Sequence, residues 1–191
     1  KDNDFTWKDF QARNNNELVA IFGNFINRVF VLCHKYWGGE VPKKNTITNI
    51  DEEIINKIKD TPRLISNYIN DYKFRFAIQT FIDLARSGNK YLAETEPWKL
   101  YKDDKSKPRT ETILNICIQL TATLSIICEP FMPFSAKKLQ DMLGVTFKNW
   151  DNAGNTELIS DGHVIKKASL LFSPIEDNEI IKQIQKLDQK K

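Results

Sequence analysis

Cysteine is scarce in this sequence, and its placement argues against several classes of protein. The 191 residues include three cysteines, which have no C-x-x-C spacing and lie among apolar neighbours: Cys33, Cys117 and Cys128. This pattern argues against a disulfide framework or a zinc site and indicates buried thiols in a reducing compartment. No apolar run approaches the roughly 18 residues of a membrane helix, and the N-terminal KDNDFTWKD is too charged for a signal peptide. We therefore expect a cytoplasmic protein that has no membrane partner.

The motifs of common enzyme families are also missing. The sequence contains no G-x-x-x-x-G-K-[ST], G-x-G-x-x-G, H-E-x-x-H or G-x-S-x-G pattern. Of the two histidines, His34 diverges from its neighbour Cys33 by about 100° on a helix, and His163 lies in an Asp-Gly turn where we expect it to be solvated. The net charge of +3 permits an anionic partner without identifying one. We therefore expect no catalytic residue, bound metal or cofactor in this chain.

What the sequence does contain is apolar residues at helical spacing along most of its length, which predicts an all-α, antiparallel helix bundle. The segment 145–174 loses this period and gains turn residues, so we expect it to be extended or hairpin-like. We treat 1–191 as one domain, with a main bundle (1–144), an extended segment (145–177) and a C-terminal helix (178–191). The predicted bundle helices are 7–36 with a kink near 14–16, one from about 51 with Pro62 kinking it or opening a new turn, 73–94, 108–127 and a Ser135-capped helix to 143.

A polar pair stands out on the first helix. At about 100° per residue, Asn24 and Arg28 fall on one strip with Glu17 and Lys35, outside the apolar face. The pair has two interpretations. It is a solvated helix face, or it recognises the edge of an unpaired nucleobase, because asparagine offers a donor and an acceptor in one plane and arginine a rigid fork of donors.

A tryptophan in the stretch EPWKL raises the same question. Trp98 follows Pro97 directly after the third predicted helix, where the chain must turn. It is either a core anchor or an aromatic face on which a base of a single-stranded loop stacks. Residue types and spacing alone leave both interpretations open.

Three segments resemble one known family. DFTWKDFQARNNNELVAIFGNFINRVF resembles the start of the helical anticodon-binding domain of methionyl-tRNA synthetases, with its D-F-x-[WF]-x-D-F opening and G-N-x-x-x-R pattern. NKYLAETEPWKLYKD is similar to the N-x-Y-[IL]-x-x-x-x-P-W signature of that family, and LFSPIED to its closing motif. The resemblance covers essentially the whole chain, in the same order.

The resemblance implies a role for each candidate residue. Asn24 and Arg28 stand where the family contacts the cytosine of the anticodon CAU, and Trp98 stands where the family stacks a ring on an anticodon base. Pro97 would fix the approach of that ring. Three lysines are candidate phosphate contacts: Lys35, Lys99 and Lys102.

The resemblance also accounts for the missing enzyme motifs. In that family, methionine is activated with ATP and Mg²⁺ in an upstream nucleotide-binding domain that carries HIGH and KMSKS motifs, and neither motif occurs here. We therefore expect a piece of a methionine–tRNA ligase whose partners are methionine tRNA and the catalytic domain of the same polypeptide. Two alternatives stay open: the anticodon-binding domain of another class I synthetase, and a non-enzymatic helical module for protein interaction with Trp98 buried.

Overall fold

The computed structural model describes residues 5–188. Within that range the regular elements are all helical, and one isolated antiparallel bridge joins Glu40 to Val164, so the all-α prediction is confirmed. We number the helices α1 (Trp7–Trp37), α2 (Asn49–Asn70), α3 (Phe74–Thr95), the single turn α4 (Pro97–Leu100), α5 (Lys107–Ile127), α6 (Pro133–Leu143) and α7 (Asp177–Asp188).

Helix α1 begins and ends as its sequence predicts, but its middle is unusual. The Thr6 side chain accepts a hydrogen bond from the Asp9 N–H at 3.0 Å, and Gly38 ends the helix in the left-handed conformation. Between these ends, Asn14–Gly23 forms wide π-helical turns instead of a local kink. The wider turns change the angular phase. Glu17 accepts from Arg13 Nη1 at 3.4 Å, the ordinary i, i+4 contact of a helix.

The asparagines at the start of the π segment hold the closing motif LFSPIED along α1. Asn15 both donates to the Ile175 carbonyl at 3.0 Å and accepts from the Ile175 N–H at 2.9 Å, and Asn14 donates to the Ser173 carbonyl at 3.0 Å. The Phe172 ring packs 5.6 Å from the ring of Phe22. The C-terminal segment therefore lies along the part of α1 that departs from α-helical geometry.

Helices α2 and α3 form an antiparallel hairpin. Thr48 and Asp51 form a capping box at the start of α2, and the chain reverses after α2 at Tyr72, which has a φ of 59°. Of the two alternatives for Pro62, the opening of a new turn is wrong, because α2 continues through Pro62 to Asn70. The hairpin packs against α1 and α5, and both of its helices contribute buried apolar side chains to the core.

Helix α5 lies at the centre of the bundle, as its nearly uniform apolar sequence predicts. Every residue of 112–127 is buried. A cluster of buried apolar side chains extends from α5 to α1, α2, α3 and α6, and it includes Ile159 and Ile165 of the segment after α6. The core therefore surrounds α5, and the polar residues of α1 and α3 lie on faces of these helices that point away from it.

Among residues 5–188, two helical stretches are long and apolar enough to span a membrane, so the prediction that none approaches this length is wrong: Trp7–Trp37 and Asp104–Ile127. In the second, 94% of the most apolar 18-residue window is buried inside the bundle, and in the first 33% is buried. Such stretches are weak evidence for a membrane, because the core helices of helix bundles are often equally long and apolar.

Two further predictions need correction, those for Ser135 and His163. Helix α6 begins at Pro133, so Ser135 lies inside it and does not cap it. The segment 145–174 agrees with the extended alternative of its prediction and makes no hairpin of its own. It runs along the bundle, where Val41 N–H donates to the His163 carbonyl at 2.8 Å. His163 is half-buried and donates from Nε2 to the Leu143 carbonyl at 2.7 Å, so it is not solvated. Residues 189–191 of the predicted last helix lie outside the described residues.

Candidate nucleic-acid interface

The candidate interface lies where α1 and α3 run side by side in the same direction. A glycine in α3 allows the two helices to approach closely, because a Cβ at Gly88 would lie 2.6 Å from Cε2 of Phe25. This approach brings Asn89, the next residue, against the polar face of α1 that carries Asn24 and Arg28. The sequence therefore uses a small residue to place a polar one.

Asn89 joins the two polar residues of α1. Its Oδ1 accepts from Asn24 Nδ2 at 3.2 Å and from Arg28 Nη1 at 3.4 Å. Its Nδ2 donates to the Ile21 carbonyl at 2.9 Å and to the Ala85 carbonyl at 3.4 Å. Asn89 is not among the residues that the sequence predicts for the site. The signal was present, because Asn89 is the first residue of the N-x-Y part of the EPW-containing motif.

The tryptophan is held beside this network by an unusual backbone. Glu96 adopts the left-handed conformation, with φ 43° and ψ 54°, directly before Pro97, which is buried at the start of α4. Trp98 then lies half-buried against the core, and the Cζ atom of Arg28 lies 5.3 Å from the centre of its ring. Arg28 therefore contacts both Asn89 and Trp98, and the three predicted residues form one cluster with Pro97 beneath it.

The three candidate lysines are exposed and lie around this cluster without forming part of it. The Lys35 ammonium is 5.3 Å from the centre of the Tyr36 ring. Lys99 pairs with the Glu96 carboxylate at 2.7 Å, so part of its charge is already balanced. Tyr36 stacks on Tyr101, with 4.0 Å between ring centres, which connects the end of α1 to the segment after α4.

A buried carboxylate anchors both ends of the segment that carries Trp98. Asp51, at the start of α2, is fully buried and accepts from both terminal nitrogens of Arg109 in α5, at 2.5 and 2.8 Å, and from the Tyr91 hydroxyl of α3. Burial alone would raise the pKa of Asp51, but the hydrogen bonds from Arg109, Tyr91 and Thr48 outweigh it and hold the pKa below its usual value. Asp51 therefore fixes α3 to α5, between which α4 lies.

The described residues offer no other obvious chemistry. Within 5–188, no group of three or more His, Cys, Asp or Glu side chains is placed to hold a metal ion. The three cysteines are free and buried, and burial raises the pKa of each thiol, to about 12 for Cys33 and Cys128. The polar cluster on α1 and α3 is therefore the site that the geometry favours.

Solved structures with the same fold are synthetases. The chain is similar to the apo form of Mycobacterium tuberculosis methionyl-tRNA synthetase, with a TM-score of 0.82 over 90% of this chain and 35% of that one, at 19% identity. It is also similar to the same enzyme in complex with methionyl-adenylate, with a TM-score of 0.80 over 88% of this chain and 33% of that one, at 19% identity. At this identity the likeness establishes the fold of the helical part of such enzymes.

Sequence relatives identify the family. The chain is 52% identical to the methionine–tRNA ligase of Phocaeicola vulgatus over 98% of this chain and 27% of that protein, and 51% identical to that of Porphyromonas gingivalis over 100% and 28%. A family model described as the anticodon binding domain of methionyl tRNA ligase matches residues 41–190, and one for class I tRNA synthetases (M) matches 1–30. The chain belongs to the family of anticodon-binding domains of methionyl-tRNA ligases, as its motifs imply. It spans 27 to 28% of the length of these relatives.

Proposed function

We propose that this chain binds the anticodon loop of methionine tRNA through Asn24, Arg28 and Trp98. The observation that carries the proposal is the contact of Arg28 with both Asn89 and the Trp98 ring, within a domain of this family. Single-stranded bases are recognised by stacking on an aromatic ring together with hydrogen bonds to the base edge. The cluster contains both kinds of group, side by side.

The arrangement fits a base that stacks on the indole and is hydrogen-bonded at its edge. The Arg28 Cζ atom lies over the indole, 5.3 Å from the ring centre. A base that stacks on the part of the indole left uncovered would lie next to the guanidinium, where the remaining Arg28 N–H groups can donate to the base edge. Asn24 is exposed beside Arg28 and would contact the same edge, that of the cytosine of CAU.

Pro97 would act through the backbone. The left-handed residue before it and its own fixed φ hold the α4 turn, and the turn presents the indole half-buried instead of mobile on the surface. Lys35 and Lys102 are exposed and would approach phosphates of the loop, whereas the pairing of Lys99 with Glu96 reduces the attraction that this lysine offers.

The larger setting of this site would be a cytoplasmic methionine–tRNA ligase. We assign the activation of methionine with ATP and Mg²⁺, and its transfer to tRNA, to the remaining part of such an enzyme, because nothing in residues 5–188 is arranged for that chemistry. The catalytic domain of the same polypeptide would be the second partner. Residues 1–191 would act as one domain that recognises the tRNA and positions its distant acceptor end.

Binding of short RNA stem-loops to the 191-residue chain tests the proposal. We expect tighter binding to a CAU loop than to loops with altered anticodons, and we expect Trp98→Ala and Arg28→Ala each to weaken CAU binding by at least about 1 kcal/mol, the scale of one lost base stack or base contact.

Matched controls lie away from the cluster. Trp150→Ala removes another half-buried tryptophan, and Arg63→Ala removes an arginine paired only with Asp60 at the surface of α2, so neither is expected to change RNA affinity by a comparable amount. Equal affinity for all loops would refute anticodon recognition. A preference for another anticodon would assign the chain to a different synthetase specificity. If the chain binds none of the RNAs, and RNA does not change the fluorescence of Trp98, a protein-interaction module is favoured.

A further inference from the structure

The orientation of one side-chain amide, that of Asn89, is determined by its surroundings. Its Nδ2 faces the carbonyl oxygens of Ile21 and Ala85, at 2.9 and 3.4 Å. Carbonyl oxygens only accept hydrogen bonds, so the group that faces them must be the amide nitrogen. The Oδ1 of Asn89 is therefore directed toward α1 as an acceptor.

This acceptor in turn determines which atoms of α1 remain available. Arg28 has only donors, and it donates Nη1 to Asn89 Oδ1 at 3.4 Å. Asn24 has both a donor and an acceptor, but facing the same oxygen at 3.2 Å it must present its Nδ2. Asn24 Oδ1 is then directed away from Asn89, and it accepts no hydrogen bond from the part of the chain that the structure describes.

We propose that Asn89 is a positioning residue that holds Asn24 as an acceptor and Arg28 as a donor, and that this polarity selects cytosine over uracil at the first anticodon base. The inference rests on the proposed function of the same cluster. Under this inference, α3 contributes to the preference for cytosine through Asn89, although Asn89 itself contacts no base.

The chemistry of the two pyrimidines gives this polarity its meaning. Cytosine carries an amino donor at position 4, which Asn24 Oδ1 can accept, and acceptors at N3 and O2 that suit the Arg28 donors. Uracil carries a carbonyl oxygen at position 4, so two acceptors would face each other, and its N3–H would face a donor. A mismatched contact of this kind weakens binding by about tenfold or more.

Without Asn89 the polarity is no longer determined. The last side-chain torsion of asparagine is broad and roughly two-fold, so the Asn24 amide can turn over and offer its nitrogen to the uracil oxygen. Loss of Asn89 therefore changes the preference between the two bases. Loss of a purely structural contact would weaken binding to both bases alike.

The test compares CAU and UAU stem-loops, identical except for the first anticodon base, against the 191-residue chain and its variants at one salt concentration. The unmodified chain is expected to prefer CAU by about tenfold or more. Asn89→Ala is expected to reduce this ratio to about threefold or less. In the Asn89→Ala background, Asn24→Asp can only accept and so cannot turn over, and it is expected to restore the preference for CAU even where its negative charge weakens binding to both loops.

Thermal unfolding of each variant accompanies the binding measurements. Should Asn89→Ala not fold, Asn89→Leu replaces it, because leucine has the same number and branching of side-chain heavy atoms without hydrogen-bonding groups. A folded Ala or Leu variant that keeps the full preference for CAU would overturn the role of Asn89. A preference in the Asn89→Ala, Asn24→Asp double variant that stays as low as in Asn89→Ala would also overturn it, because polarity at position 24 would then not be the cause. An unmodified chain that fails to distinguish the two loops would instead refute the proposed function.

Discussion

The substitution Asp51→Asn is expected to lower the free energy of unfolding by about 3 kcal/mol at pH 7. Asp51 is fully buried, and its carboxylate accepts from Arg109, Tyr91 and Thr48. Removing one partner of a buried ion pair costs about 3 to 5 kcal/mol, because the other charge is left without compensation. The Arg109 side chain keeps 24% of its exposure, so water can solvate it in part, and we place the loss at the lower end of that range.

The pH dependence of this loss distinguishes charge from shape. The pKa of Asp51 in the folded protein lies below its usual value, so its carboxylate stabilises the fold above the unfolded pKa of about 3.9 and loses that effect as pH falls through the folded pKa. The difference between the unmodified chain and Asp51→Asn should therefore be constant between about pH 5 and 8 and shrink below about pH 4.

Urea unfolding, followed by circular dichroism at several pH values, measures both quantities. Asp104→Asn is the matched control, because the Asp104 side chain is 90% exposed where it pairs with Lys107 at 2.6 Å, and its removal is expected to leave stability unchanged. An unfolding midpoint for Asp51→Asn equal to that of the control would refute the reasoning. So would a difference that stays constant down to pH 2.

Two further predictions concern the packing around the site. Gly88→Ala is expected to destabilise the chain by about 1 to 3 kcal/mol and to weaken CAU binding, because the new Cβ would lie 2.6 Å from Phe25 and push α3, with Asn89, away from α1. Urea unfolding measures the loss of stability, and stem-loop binding measures the loss of affinity. Unchanged values of both would mean that the Phe25 ring yields without moving the helix. The three buried cysteines, whose thiol pKa values burial raises, are expected to resist a disulfide reagent at pH 8 until urea unfolds the chain; rapid colour development with the folded protein would contradict their burial.

Much of the fold could be predicted because it depends on patterns that are local in sequence. Apolar residues on every side of 112–127 indicate a central helix, and the turn residues after α1 and α6 mark where those helices end. The i, i+4 spacing of Asn24 and Arg28 also predicts that they lie together, and in the structure they share one partner.

What could not be predicted depends on contacts between distant segments. The π-helical turns of Asn14–Gly23 accompany the side-chain bonds of Asn14 and Asn15 to the closing motif more than 150 residues away, and no helical wheel contains that information. The role of Asn89 was missed for the same reason, because its contacts with Asn24 and Arg28 reach across to another helix, although its place in the N-x-Y motif marked it as a candidate.

The backbone of Glu96 has a consequence for how transferable the sequence EPWKL is. A residue before proline strongly prefers extended conformations, and a residue with a side chain rarely adopts the left-handed one, yet Glu96 does so directly before Pro97. Such a conformation persists only while the surrounding fold imposes it, and a turn as short as α4 has no stability of its own. A peptide cut out around Trp98, or this stretch grafted onto another helix end, would thus relax to an extended chain and present the indole in no particular direction. The motif therefore orients Trp98 only within the folded domain.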